Sequence, residues 1–210
     1  AHPDRHLHVL DLPYRLCSPA LQSEADVRLW EDREGHLLAW AVWQFPFVTL
    51  DYAVHPAWAP RLEPVILKWA EERFRQIARA KGRPLPYWIM VAETDAEQIE
   101  WLEREGFHRS DWFHTAMERS LTIPIAPPRL PDGFTLRPMA GDSEAEEVAA
   151  LHRAAFGSMN MTAAWRRRIL ESPAYRPGLD RVIAEPTGRL VAFCLAWLGR
   201  GDDDAPRGQI

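Results

Sequence analysis

The chain has 210 residues and a hydrophobic fraction of 47%, including 10 tryptophans, which is enough apolar surface to bury a core and excludes an intrinsically disordered protein. Its 25 basic and 30 acidic residues give a net charge of −5 with both signs interspersed, which excludes a nucleic-acid partner recruited by charge. There is no apolar run of membrane-spanning length, no signal-peptide pattern in residues 1–10 and only two cysteines, so we expect a cytoplasmic protein without a membrane partner.

The first half of the chain alternates between strand and helix patterns. Residues 25–45 hold two runs of strand-forming residues around a charged turn, and residues 47–55 form a third strand. A long amphipathic helix follows and ends at Gly82. Residues 85–93 are typical of a buried strand, a capped helix then ends at Gly106, and residues 107–118 predict one more strand. Before these elements, His2, His6 and His8 have no acidic or cysteine partner at zinc-like spacing, so no metal site is predicted.

A proline-rich segment divides the chain. Residues 122–133 contain four prolines and predict a semi-rigid linker between residues 1–121 and residues 134–210. After the linker, the pattern indicates a strand, a helix over 142–156 with an acidic start, and a second helix over 162–175. Residues 179–199 then read as another hairpin, and the acidic run at 201–206 is typical of a solvated turn.

The second hairpin repeats the first. The triplet SPA at 172–174 and Asp180 follow SPA at 18–20 and Asp26 at a spacing of 154 residues. One deletion in the turn then brings Gly188 to a spacing of 153 from Gly35, and LVAF at 190–193 matches LLAW at 37–40. Two unrelated hairpins of similar composition are the alternative. The shared order of helix end, strand, turn and strand favours two repeated units.

Two segments of the first half resemble the GNAT acyltransferase family. LDYAVHPAWAPRLEPVILKWAEE at 50–72 is similar to the family's acyl-CoA-binding strand, turn and helix, and AEQIEWLEREGF at 96–107 is similar to its short helix ending in Gly-Phe. Residues 134–156 look like the opening strand and helix of a second unit, as in tandem GNAT proteins. The resemblance implies an α/β fold, with a mixed and mostly antiparallel sheet flanked by helices, in two repeated units.

The resemblance also implies a reaction and candidate residues. The expected activity is direct transfer of an acetyl group from acetyl-CoA, as cosubstrate, to a small-molecule amine. The carried-over positions are Tyr52, Ala53, Val54 and Arg61 for the cofactor, Asn160 and Met161 for the acceptor, and Glu93 as a base.

The sequence departs from the family pattern in the first unit. Leu62 and Pro64 replace glycines in the phosphate-binding turn, so together with Pro60 they should deprive the helix start of donors and space. Leu102 stands where the family often has a tyrosine acid. We therefore expect a degenerate first unit and a catalytic site in the second, completed in a longer protein after Ile210.

Two further expectations follow from this pattern. An open sheet edge near Gln209 favours a homo-oligomer. The alternative functions are a non-catalytic GNAT-like scaffold or ligand-sensing module, and an interaction protein that uses its tryptophans.

Overall fold

A computed structural model describes residues 11–45, 47–115, 117–200 and 206–210. The histidines at positions 2, 6 and 8 and residues 201–205 of the acidic run therefore lie outside the described residues. The helices are α1 (Leu12–Leu16), α2 (Ala59–Ala80), α3 (Ala96–Arg104), α4 (Ala145–Phe156) and α5 (Ala163–Glu171). The strands are β1 (Val27–Glu31), β2 (Leu37–Gln44), β3 (Thr49–Val54), β4 (Thr135–Pro138), β5 (Asp180–Ala184), β6 (Leu190–Leu195), β7 (Trp197–Arg200) and β8 (Pro206–Gln209).

These strands form three antiparallel sheets, with the strand orders β1-β2-β3, β4-β5-β6 and β7-β8. The expected α/β architecture of mostly antiparallel sheet and flanking helices is confirmed. Within the described residues no helix is both long enough and apolar enough to cross a bilayer.

The first core lies between β1-β2-β3 and α2. The helix buries Ile66, Leu67, Ala70 and Phe74 along one stripe, because residues three and four apart share a helix face. Trp43 of β2 stacks on Phe74 with ring centres 5.2 Å apart, and its indole N–H donates to the carbonyl of Ala70 at 3.2 Å. This donation satisfies the polar atom of the largest fully buried side chain.

The second core lies between β4-β5-β6 and helices α4 and α5. Val148 of α4 packs with Val182 and Leu190 of the sheet, and Phe193 covers part of the same cluster. Thr162 caps α5 through its hydroxyl, which accepts the N–H of Trp165 at 3.1 Å. The predicted helices of this half are thus present, with α5 ending at Glu171 just before the SPA triplet.

The β1-β2 and β5-β6 hairpins match in local detail. Each has a five-residue turn. Each also has a register shift between the last two residues of its first strand, at Trp30/Glu31 in β1 and at Ile183/Ala184 in β5. Gly35 and Gly188 take left-handed φ values of 84° and 93° in these turns. All these pairs are 153 residues apart. At this spacing Asp180, the first residue of β5, matches Val27, the first residue of β1. The predicted match of Asp180 with Asp26 is therefore wrong by one residue. The one-residue deletion in the second copy lies before β5 and not in the turn before Gly188.

Two predicted strands do not form. Within residues 85–93 only Trp88 forms a bridge, a parallel one to Thr49. Residues 107–115 and 117–118 contain no strand, and Trp112, Phe113 and Met117 are exposed. A strand requires a partner to bond to, and in the described part of the chain none lies along this segment. The linker over 122–133 has no helix or strand, in agreement with its prolines.

The strand expected to be missing near Gln209 is partly present. β8 begins at Pro206 and pairs with β7 from Trp197↔Gln209 to Arg200↔Pro206. The hairpin of residues 180–195 is therefore followed by a short second pair of strands.

Candidate functional site

β3 and residues 88–93 lie side by side at Trp88 and then separate, and we call this arrangement the fork. Trp88 is bonded to β3 on both sides, since its N–H donates to the carbonyl of Val48 at 2.9 Å and its carbonyl accepts the N–H of Leu50 at 3.0 Å. No further backbone hydrogen bond joins β3 to residues 89–93 in the part of the chain that the structure describes. The two segments therefore separate toward the end of β3, next to the start of α2.

The β3 residues predicted to hold a cofactor point to different places. Tyr52 is 1% exposed, and its hydroxyl accepts a hydrogen bond from the amide of Gln98 at 2.7 Å. This side chain faces the first core, so the backbone of Tyr52 is what remains for a cofactor contact, and that contact stays a prediction. Ala53 and Val54 are half-buried and line an open cavity of about 250 Å³ together with Trp40 and His55.

The first turn of α2 has few free donors. The first four N–H groups of an α-helix have no partner inside the helix, and they can bind an anion. Here the N–H of Ala59 bonds to the carbonyl of Pro56, and Pro60 has no N–H. The N–H of Trp58 bonds to the carbonyl of His55 at 2.8 Å, and that of Leu62 has an acceptor inside the helix, the carbonyl of Trp58. Arg61 therefore supplies the one donor that remains of the four.

Pro64 plays no part in that loss. It is the sixth residue of α2, where an N–H would bond to the carbonyl of Pro60 within the helix. The expectation that Pro64 removes a donor from an anion site is therefore wrong. Leu62 packs against the first core, while Arg61 is exposed, with its guanidinium 5.8 Å from the centre of the Trp58 ring.

The candidate acid and base positions are not paired across the fork. Leu102 is buried in the first core, so the place of the family's proton donor is filled by a packing residue. Glu93 is exposed in the irregular segment that follows Trp88. The position of the family's proton donor therefore holds no titratable group, and Glu93 is an exposed carboxylate.

The candidate acceptor residues lie in the loop between α4 and α5. Met161 is 2% exposed and packs against Trp165 and Ile169, and its carbonyl accepts a hydrogen bond from Arg153 at 2.8 Å. The Met161 side chain is thus a packing residue of the second half, and a role of Met161 in binding the acceptor stays a prediction. Asn160 is exposed, and its role as an acceptor contact stays a prediction.

A buried ion pair in the second core was not anticipated from the sequence. Arg166 of α5 donates to Asp180 of β5, and both side chains are almost fully buried, 3% and 0% exposed. The hydroxyl of Tyr175 also donates to Asp180, at 2.8 Å. Burial, followed by this hydrogen bond, raises the pKa of Tyr175, so its hydroxyl stays protonated at neutral pH. The pairing joins residues far apart in sequence, for which local patterns give no signal.

The β1-β2 turn gathers Asp32, Glu34 and His36, whose ligand atoms lie within 4.8 Å of one another. Asp32 accepts the N–H groups of Glu34 and His36 at 2.9 Å and contacts the His36 ring at 3.0 Å. The hydrogen bond from the His36 backbone is the main cause that lowers the pKa of Asp32. Glu185 closes the matching turn of the second hairpin by bonding to Arg189 at 2.7 Å. Because a carboxylate bonds across both turns, we infer that Asp32, Glu34 and His36 serve to close the turn between β1 and β2.

The elements around the fork follow a known order: three antiparallel strands, a long helix, a segment parallel to the third strand, and a short helix. The chain is similar in fold to a GCN5-related N-acetyltransferase. The solved structure of that protein from Sphaerobacter thermophilus superposes with a TM-score of 0.52 and 19% sequence identity. The match covers 82% of this chain and 57% of the other, so the chain spans a little over half of its length. No protein-family model matches the chain, and no curated protein sequence matches it. The likeness therefore shows the fold, called the GNAT fold below.

Proposed function

We propose that this chain belongs to an N-acyltransferase that moves an acetyl group from acetyl-CoA directly to a small-molecule amine. The observation that carries the proposal is the GNAT-like fold over 82% of the chain, together with the fork at Thr49 and Trp88, which opens beside a helix start. A fold alone hosts many activities, so the chemistry of the site has to be tested directly.

We also propose that the chain contains two GNAT-type units in tandem, residues 1–121 and 134–210, joined by the linker 122–133. The matching turns, bulges and glycines of the two hairpins support this. The hairpins turn opposite faces to their helices, since Ala41 is buried in the first core whereas Cys194, at the matched position, is exposed. This difference is expected if a complete unit has helices on both faces of its sheet. The first unit would then contain the helix of one face, and the second unit the helices of the other face.

The first unit fits acetyl-CoA poorly. The side chain of its candidate Tyr52 is buried, three of the four N–H positions at its helix start are bonded or missing, and its proton-donor position is Leu102. We therefore propose that catalysis belongs to the second unit, where β7 and β8 are the counterparts of the end of β2 and of β3. These same departures support a second candidate role for the first unit, as a non-catalytic scaffold or ligand-sensing module.

The test is an acetyl-transfer assay on the full-length natural protein. Release of free thiol from acetyl-CoA is followed with a panel of small primary amines, and hydrogen exchange locates the cofactor. We expect thiol release with at least one amine and cofactor-dependent protection around β7 and β8. Arg61→Ala should leave the rate unchanged, because Arg61 belongs to the first unit.

Each other outcome decides against one part of the proposal. Protection confined to residues 49–62, with loss of the rate in Arg61→Ala, would place catalysis in the first unit. Absence of thiol release and of acetyl-CoA binding would leave the scaffold role in place of the enzyme.

A further inference from the structure

Helix α1 lies between the two halves of the described structure and contacts both. Toward the first core, the Arg15 guanidinium holds both carboxylate oxygens of Asp51 at 2.5 and 2.6 Å and the hydroxyl of Thr49 at 2.6 Å. Toward the second core, the Tyr14 ring packs on Trp165 of α5 with ring centres 5.5 Å apart. The first contact is a bidentate ion pair. The second combines a hydrogen bond from Arg168 of α5 to the carbonyl of Cys17, the residue after α1, at 2.9 Å with ring packing and one polar contact of the Tyr14 hydroxyl.

That polar contact is made by His152 of α4. Its Nε2 lies 3.5 Å from the hydroxyl of Tyr14, and its Nδ1 is buried without a hydrogen-bond partner among the described residues. The imidazole stacks on Phe193 of β6 at 5.5 Å and on Phe156 at 4.6 Å. A neutral imidazole fits this place, because an imidazolium would have to bury a second N–H donor without an acceptor.

The charged groups around His152 are unfavourable to a further positive charge. Arg153 neighbours His152 on α4, and Arg166, which is paired with Asp180, neighbours it on α5. The neighbour on α1 is the neutral Tyr14. Phe193 is the neighbour on β6. Burial first, then Arg166 and Arg153, lower the pKa of His152 below its ordinary value, and burial raises the pKa of Tyr14 to about 12.

We propose that His152 makes the attachment of α1 to the second core sensitive to mild acid. At neutral pH the Tyr14 hydroxyl donates to the neutral imidazole and α1 stays docked on α4 and α5. Protonation of His152 places a charge beside Arg166 and removes the nitrogen lone pair that accepts from Tyr14, which weakens the Tyr14 contact and loosens α1. Because Arg15 of the same helix holds β3, acid would loosen the connection between the two halves of the molecule.

The sign of the effect follows from the lowered pKa. The undocked state binds a proton at the ordinary histidine pKa, whereas the docked state binds it only at lower pH. Docking of α1 is therefore strongest above the ordinary pKa and weakens as the pH falls from that value through the lowered one. The inference does not rest on the proposed function, because it concerns the docking of α1 on α4 and α5 and its tests measure no acetyl transfer.

Two measurements on the full chain test the inference. An NMR titration of the histidine Cε1 protons should give His152 a pKa below the ordinary histidine value. Hydrogen exchange of residues 12–18, corrected for the intrinsic rate, should show a loss of protection between pH 7.5 and 5.5 in the wild type. His152→Gln, which stays neutral, should abolish this pH dependence, and His36→Gln should preserve it.

Tyr14→Phe keeps the ring but removes the hydroxyl, so it serves as a second variant that preserves the packing on Trp165. It should reduce the protection of residues 12–18 at pH 7.5 and leave a smaller loss on acidification. A pKa of His152 at or above the ordinary histidine value, or the same acid-induced loss in His152→Gln as in the wild type, would overturn the proposal.

Discussion

Two oppositely charged side chains, Arg166 and Asp180, form an ion pair inside the second core. Arg166 and Asp180 are almost completely buried. Within the part of the chain that the structure describes, one nitrogen of the arginine and one oxygen of the aspartate have no hydrogen-bond partner. A buried pair of this kind gains little net free energy over apolar residues, but removing one partner leaves an uncompensated charge. The pair therefore constrains how α5 sits on β5, in addition to any contribution to stability.

We expect Asp180→Ala to lower the free energy of unfolding by about 3–5 kcal/mol, because the Arg166 guanidinium would stay buried without its counter-charge. Urea unfolding at pH 7.5, followed by circular dichroism, measures the change. Glu185→Ala is the matched control on the same hairpin, since Glu185 pairs with Arg189 in an exposed turn and should change stability little. Equal effects of the two substitutions would contradict this role of the buried pair.

At the scale of the elements, α2 contains two prolines with different consequences. Pro60 is the second residue of the helix, where the missing N–H has no helical partner and the fixed φ suits the helix. Pro64 lies inside the helix, where it removes one hydrogen bond and its ring crowds the carbonyl of Pro60. Both side chains are exposed, so substituting them changes the helix backbone and leaves the core intact.

Pro64→Ala is expected to raise the free energy of unfolding by about 2 kcal/mol, the interior-proline penalty of about 3 kcal/mol less about 1 kcal/mol for the more flexible unfolded chain. Pro60→Ala should leave stability unchanged or lower it slightly. Thermal unfolding of both variants distinguishes the two positions, and a stabilisation of equal size at Pro60 would show that position inside the helix is not the cause.

The same scale shows what sequence could and could not predict. The helices α2 to α5 and both hairpins were predictable because helical spacing and turn residues such as Gly35 and Gly188 are local signals. Residues 85–93 and 107–118 have strand-like composition, but a strand depends on a partner that composition does not report. The positions of the candidate site residues were harder to predict than the helices and hairpins for the same reason. Which face of β3 is covered by α2 decides that Tyr52 is buried, and this is a tertiary contact.

At the scale of the whole molecule, the two three-stranded sheets differ at one edge. In the second sheet β4 lies beside β5, so the outer side of the hairpin's first strand is paired. In the first sheet β1 pairs with β2 alone among the described strands, which leaves its outer N–H and C=O groups without a strand partner. Leu29 on β1 is 57% exposed. An unpaired edge that carries an exposed apolar side chain favours addition of a strand from another chain.

We therefore expect the 210-residue chain to associate with itself in a concentration-dependent manner through the outer edge of β1. Sedimentation velocity at increasing concentration measures the association. Leu29→Lys should weaken it, because a charged side chain on an edge strand must lose its hydration when a second strand adds there. Ile123→Lys, a matched change at an exposed apolar residue of the linker, should leave the association unchanged. A chain that sediments as a monomer at every concentration, or that responds equally to both substitutions, would show that the edge of β1 is not the contact. Loss of association in Leu29→Lys alone would identify the side of the first sheet on which a further strand belongs.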